Sequence, residues 1–179
     1  PGSQTAEVRA EQVLAVSLAA MDSFVAFESR NREAVGPLVR DIAARVRLKA
    51  PQALDTANHL RRAYKLNRSA ANEAGLLTAL SVVDSLVSEI RVWVPLSSAS
   101  GPGQSATAQL VREAEASKHV TTQSWAVLVP LFVDLAREIY VAVNKAREAS
   151  AQSAEWTLQQ EADFSVQLTN LKTSTHWSL

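Results

Sequence analysis

Cysteine is absent from this chain, which excludes disulfide staples, thiolate nucleophiles and zinc–thiolate sites. Glycine and proline are scarce, with 5 and 6 copies, and aromatic residues make up only 6%. A sandwich or barrel needs many turns and β-formers, and this inventory supplies few of either. Charge of one sign is not in excess either: 18 Lys and Arg balance 18 Asp and Glu. The chain as a whole therefore lacks the basic field of a nucleic-acid binder. No uninterrupted apolar stretch is long enough to span a bilayer, and no secretory signal is visible. A reducing, cytoplasmic setting is compatible with all of this. The opening PGSQ carries no Met and reads as the scar of a cleaved tag on an expressed fragment.

What is abundant is the raw material of helices: alanine, leucine, arginine, glutamate and glutamine. Apolar periodicity predicts helices nearly throughout. Leu76, Leu80, Val83, Val87, Ile90 and Val94 follow helical spacing and form one stripe. Gly75 is expected to break the helix before it, and Pro95 to end it. Pro51 suits the first turn of another helix, since its missing N–H has no helical partner there. Upstream, a helix restarts after Gly36 and Pro37, with Leu38, Ile42 and Val46 on one face. Residues from about Thr5 to Arg32 also read as helical, with Val13, Val16, Ala20, Phe24 and Phe27 roughly sharing a face. SSASGPGQS, around Gly101 and Gly103, is the one strong loop signal. Beyond it, Leu131, Leu135, Ile139 and Val143 continue the helical pattern, as do Phe164, Leu168 and Leu171.

The expected architecture is all-α: an antiparallel six-helix bundle over 21–179, with residues 1–20 as tag scar and N-terminal helical extension. Short connections imply antiparallel neighbours. With 179 residues the chain suits one domain with a sizeable core.

Reactive constellations do not emerge. His59, His119 and His176 have no metal-ligand spacing and no carboxylate at a suitable offset. SGPGQS lacks the Lys-Ser/Thr of a phosphate loop. Asn67-Arg68-Ser69 matches a glycosylation sequon but falls inside an expected helix. Asp134 and Glu138 flank Arg137, which suggests surface pairing. No catalytic residue, cofactor or metal is expected. One asymmetry stands out: from Arg30 to Arg68 there are ten basic residues and three acidic ones. Such a belt can steer an acidic partner. A bundle with no reactive constellation reads as an interaction module.

The closing stretch, with Glu155-Trp156 at its start and TSTHW ending at Trp177, resembles the final helix of the helical folded domain of adenylyl cyclase-associated proteins. SWAVLVP around Trp125, FVDLAREIYVAVNKAREA with Asn144-Lys145, MDSFVAF, VGPLVRDIAARV and LLTALSVVDSLVSEI are similar to further segments of that family, in the same order. The likeness covers most of residues 21–177. It departs after the Leu-rich helix, where the family has a charged run and this chain has RVWVPLSSASGPG, keeping only Arg91.

The resemblance implies a non-enzymatic role in the cytoplasm, at the cytoskeleton: binding actin and, with cofilin, stripping subunits from filament pointed ends. The expected means is a rigid surface that fits one actin subunit conformation better than another, through a salt-dependent contact. Candidate partner-binding residues, chosen by charge and location, are Arg61, Arg62, Lys65, Arg91, Trp93 and Lys118. Trp156 and Trp177 are expected instead to pin the last helix to the bundle. The alternative is a non-enzymatic helical scaffold or adaptor, self-associating through the N-terminal helix. A small-molecule-binding bundle is a third class, and it requires an internal pocket.

Overall fold

A computed structural model of the chain describes residues 6–91, 137–146, 148 and 155–178, apart from the side chains of Leu38 and Arg91. These residues form α-helices and one 3-10 turn, with no strand among them. The protein is all-α. In chain order the elements are α1 (Ala6–Arg30), α2 (Gly36–Leu66), α3 (Ala70–Arg91), α4 (residues 137–146), α5 (Leu158–Thr173) and the 3-10 turn Thr175–Trp177.

Helix α1 is unbroken, so the expected boundary at residue 20 falls in its middle. Its first half is core: Val8, Ala10, Leu14 and Leu18 are buried along with Met21, Phe24 and Phe27. The buried stripe Glu7, Glu11, Leu14, Leu18, Met21, Val25, Glu28 alternates steps of four and three residues, the spacing that keeps one seam facing a partner. Val13 and Val16, expected on the inner face, are only partly buried. On length and composition alone α1 could cross a bilayer, but it is a core helix, with most of its apolar face covered by its neighbours.

Two expected helix breaks do not occur. Pro51 lies inside α2, a single helix of 31 residues. An internal proline forfeits one backbone hydrogen bond and costs roughly 3 kcal/mol. Ala50, Ala53, Leu54 and Ala57, buried around it, make helix continuation the better solution. Gly75 lies inside α3, where it passes Leu60 of α2; a Cβ there would sit 4.0 Å from the Leu60 side chain. The break comes earlier, at Asn67–Ser69, where the Ser69 hydroxyl accepts from the Asn72 N–H and Asn72 donates to the Asn67 carbonyl. The sequon therefore occupies this exposed connection rather than a helix. Gly36, which opens α2, has φ +80°, so any side chain there would be strained.

Cross-helix partners fix the directions. Arg47 near the start of α2 meets Glu28 near the end of α1, and Arg68 just past α2 meets Glu7 at the start of α1. Arg45 meets Glu89, while Leu60 meets Gly75. Both pairs of helices are antiparallel. Helix α5 also runs against α2: Asp55 pairs with Lys172, Arg62 with Ser165, and Arg61 with Glu161. Leu76, Leu80, Val83, Val87 and Ile90 of α3 are all buried, as their spacing predicts; Val94 lies outside the described residues.

Candidate functional site: ion clusters and a hollow around the last helix

Helix α5 begins with a capping box. The Thr157 hydroxyl accepts from the Gln160 N–H, and the Gln160 side chain accepts from the Thr157 N–H. Phe164, Leu168 and Leu171 form its buried stripe. Two tryptophans bracket it, both buried. Trp156 tilts against Phe164 at 5.0 Å between ring centres. Trp177, in the 3-10 turn, donates its ring N–H to Asp22 at 2.9 Å. The sequence expectation for these two residues matches the structure: they pin the last helix at its two ends.

At the first end lies a cluster of opposite charges. Arg61 is fully buried: it lies over the Trp156 ring at 4.9 Å, donates to Asn58, and pairs with Glu161 at 2.7 Å. Glu11 accepts the backbone N–H of Trp156 at 2.7 Å. Lys65 has Glu7, Glu155 and Glu161 around it, each at 3.8 Å. Arg68 bridges Glu7 and Glu155. Burial pushes the Glu7 carboxyl above its ordinary value, and the nearby Glu155 adds to that. Burial also raises Glu11, against the opposing pull of the Trp156 N–H and Arg61. Glu161 is partly buried too, but the Arg61 hydrogen bond and the charges of Arg61, Lys65 and Arg62 bring it below its ordinary value.

At the other end, buried Arg47 donates to Glu28, to the Val25 carbonyl and to the His176 carbonyl. His176 also contacts Asp22 at 2.7 Å through Nε2 and Ser174 at 2.8 Å through Nδ1. The sequence shows no carboxylate at a suitable offset from any histidine, yet His176 has a carboxylate partner through space. The partner is 154 residues away in the chain, where no local spacing can reveal it.

Between the two ends is a hollow of about 610 Å³. Helix α5 packs on α2 and the 3-10 turn rather than along α1, and the hollow separates α5 from α1 and α4. Its walls are small where α1 and α4 contribute Ala15, Ala19, Ala142 and Ala146. Among the described residues, Leu18, Phe164, Leu171 and Trp156 give it apolar surface, and Asp22, Asp163, Lys145 and His176 also line it.

The six expected partner contacts fare differently. Arg61 has no accessible side chain, and reversing its charge would bury three carboxylates together, so it is an internal strut rather than a surface contact. Lys65 is one-third exposed and committed to its three glutamates. Arg62 is exposed and donates to Ser165. Arg91 closes α3. Trp93 and Lys118 lie outside the described residues. Of the ten basic residues of the belt, seven pair with acids: Arg30, Arg32, Arg45, Arg47, Arg61, Lys65 and Arg68. The belt is chiefly internal counter-charge for α1, α3, α4 and α5.

One surface feature escaped the sequence reading. The exposed face of α3 carries Ala74, Leu77, Thr78, Ser81, Val82, Ser85 and Ser88, with Asp84 beside them. Thr78, Ser81, Ser85 and Ser88 each donate their hydroxyl to the carbonyl four residues earlier. This face is nearly uncharged, and its hydroxyl donors are already used.

Among the described residues no group of three His, Asp or Glu is placed to hold a metal ion. Compared with family models, curated proteins and solved structures, the chain matches none.

Proposed function

We propose that this protein is a non-enzymatic interaction domain that binds actin and, together with cofilin, promotes subunit loss at filament pointed ends. In this reading the chain completes an antiparallel six-helix bundle, it works in the cytoplasm at the cytoskeleton, and its outside carries the activity. The observation that carries it is the clamping of α5 at both ends. Glu155-Trp156 and the turn ending at Trp177, which carry the sequence resemblance, are what lock the last helix to the bundle. A stiff body of this kind can favour one subunit conformation by differential affinity alone.

The contact surface proposed here is the outer face of α3 rather than the basic belt. Leu77 and Val82 are the exposed apolar residues of that face, and a low-charge patch suits a protein interface core. The same face supports the second reading, a scaffold or adaptor whose partner is another helical protein.

The test is disassembly of cofilin-decorated filaments, followed by pointed-end shortening. The full chain accelerates it, and Leu77→Asp with Val82→Asp removes the acceleration while leaving the melting curve in place. Absence of any effect at low salt rejects the actin reading. Retained self-association or capture of a helical partner through the same face then supports the scaffold.

A further inference from the structure

We propose that the hollow between α1, α4 and α5 is a binding site for an amphipathic organic amine, with the apolar body among Leu18, Phe164 and Leu171 and the ammonium on Asp22. This site is independent of the actin reading and uses none of the α3 face.

Size comes first. About 610 Å³ falls within the range of small-molecule sites, roughly 300–1,000 Å³. Protein interiors are close-packed, and voids larger than a water molecule are few. Here the space persists because alanines stand at inward positions one turn apart on two helices: Ala15 and Ala19 on α1, Ala142 and Ala146 on α4. Longer aliphatic residues at those positions would fill it. The hollow also cannot close by collapse of α5 onto α1, because both ends of α5 are propped. One prop is the Glu11–Trp156–Arg61 cluster; the other is Asp22 with Trp177 and His176. The hollow opens to solvent and mixes apolar with polar lining, which suits a guest with an apolar body and a polar head.

Charge then selects the head group. Among the described residues, the acidic and basic side chains at the hollow are Asp22, Asp163 and Lys145, with His176 beside them. A cation is favoured over an anion. Asp22 is the better anchor of the two because it is already oriented. His176 Nε2 and Trp177 Nε1 both meet its Oδ1, so neither contact uses Oδ2. Trp156 and Phe164, inclined at 43° to each other, add aromatic surface to the lining.

The full chain is titrated by calorimetry with naphthylmethylamine, and with naphthylmethanol and naphthoate as neutral and anionic probes of the same body. The amine binds at least about tenfold tighter than the alcohol, and naphthoate is weakest. Asp22→Asn keeps an acceptor for Trp177 and His176 and brings the amine down to the level of the alcohol. Ala19→Leu on α1 and Ala142→Leu on α4 each fill the hollow and weaken amine and alcohol alike. Circular dichroism identifies which filling variants are folded, and the two lie on separate helices, so either suffices. No binding of the amine at roughly millimolar concentration, equal affinity for all three probes, or binding that ignores a folded filling variant overturns the assignment. Loss of filament disassembly in the filling variants, with no amine bound to the parent chain, also overturns it: the hollow then seats a segment of a macromolecular partner.

Discussion

Glu11 accepts the backbone N–H of Trp156 at 2.7 Å, joining the first helix to the residue that precedes the last. Beside it, Arg61 lies over the ring of the same tryptophan and pairs with Glu161. Three elements distant in sequence thus meet at one residue, Glu11 on its backbone N–H and Arg61 on its ring, and removing the ring tests how much of the fold depends on the packing there. Trp156→Ala is expected to cost about 3–5 kcal/mol, and Trp177→Ala a similar amount. Trp177→Phe keeps most of the packing but loses the hydrogen bond to Asp22, a cost of about 1 kcal/mol. Urea unfolding of the three variants checks the order.

Arg61 and Arg62 are neighbours in sequence with opposite fates. Removing Arg61 leaves Glu11 and Glu161 without their buried counter-charge, so Arg61→Ala is expected to destabilise by about 3–5 kcal/mol. Arg62 is exposed, donates to Ser165 and adds a solvent-screened attraction to Glu161, so Arg62→Ala should fall within about 0.5 kcal/mol of the parent. Equal effects in a chemical melt would contradict the assignment of Arg61 as an internal strut.

Stability should rise as pH falls from neutral. Glu7 and Glu11 have folded pKa values raised above the ordinary 4.5, so the native state takes up protons before the unfolded chain does. Their contribution is complete below 4.5 and is lost as pH rises through the raised folded values. Glu161 is lowered; its contribution is present above 4.5 and is lost only further down. The expected optimum is mildly acidic, with a higher melting temperature near the upper carboxylate range than at pH about 7.5. The double variant Glu7→Gln, Glu11→Gln should flatten this slope. Thermal melts across the interval decide it, and a stability that climbs steadily toward neutral pH would refute it.

Salt separates the two views of the basic belt. If the belt met an acidic partner, affinity would fall steeply with ionic strength. With seven of its ten basic residues paired internally, and contact assigned to α3, co-sedimentation should change little between low and physiological salt. Leu77→Asp should weaken it in both.

The class of the fold was legible because apolar periodicity survives in any context, as in Leu76 to Ile90. Pro51 and Gly75 were misread because their local preferences are worth only about 1–3 kcal/mol, less than the packing of the long helices around them. The ion clusters were illegible as pairs, since each glutamate finds its arginine through space. A partial signal was nonetheless present. Glu7, Glu11 and Glu28 fall on the same four-and-three spacing as Leu14, Leu18, Met21 and Val25. A carboxylate on the inward seam of a helix announces a buried counter-ion. The hollow offered no comparable sign, because alanines at helical spacing are also what a tightly packed pair of helices would show.

That seam of α1, apolar in the middle and acidic at both extremes, has a consequence for alignment. A slide of one turn along α2, about 5.4 Å, would carry Leu14 toward Arg61 and strand Glu28 away from Arg47. Both mismatches strand buried charge, so the energetic penalty is paid twice, once at each terminus of the rod. The helix is held in a single longitudinal setting by electrostatics, and its aliphatic middle, which would tolerate several offsets, need not choose.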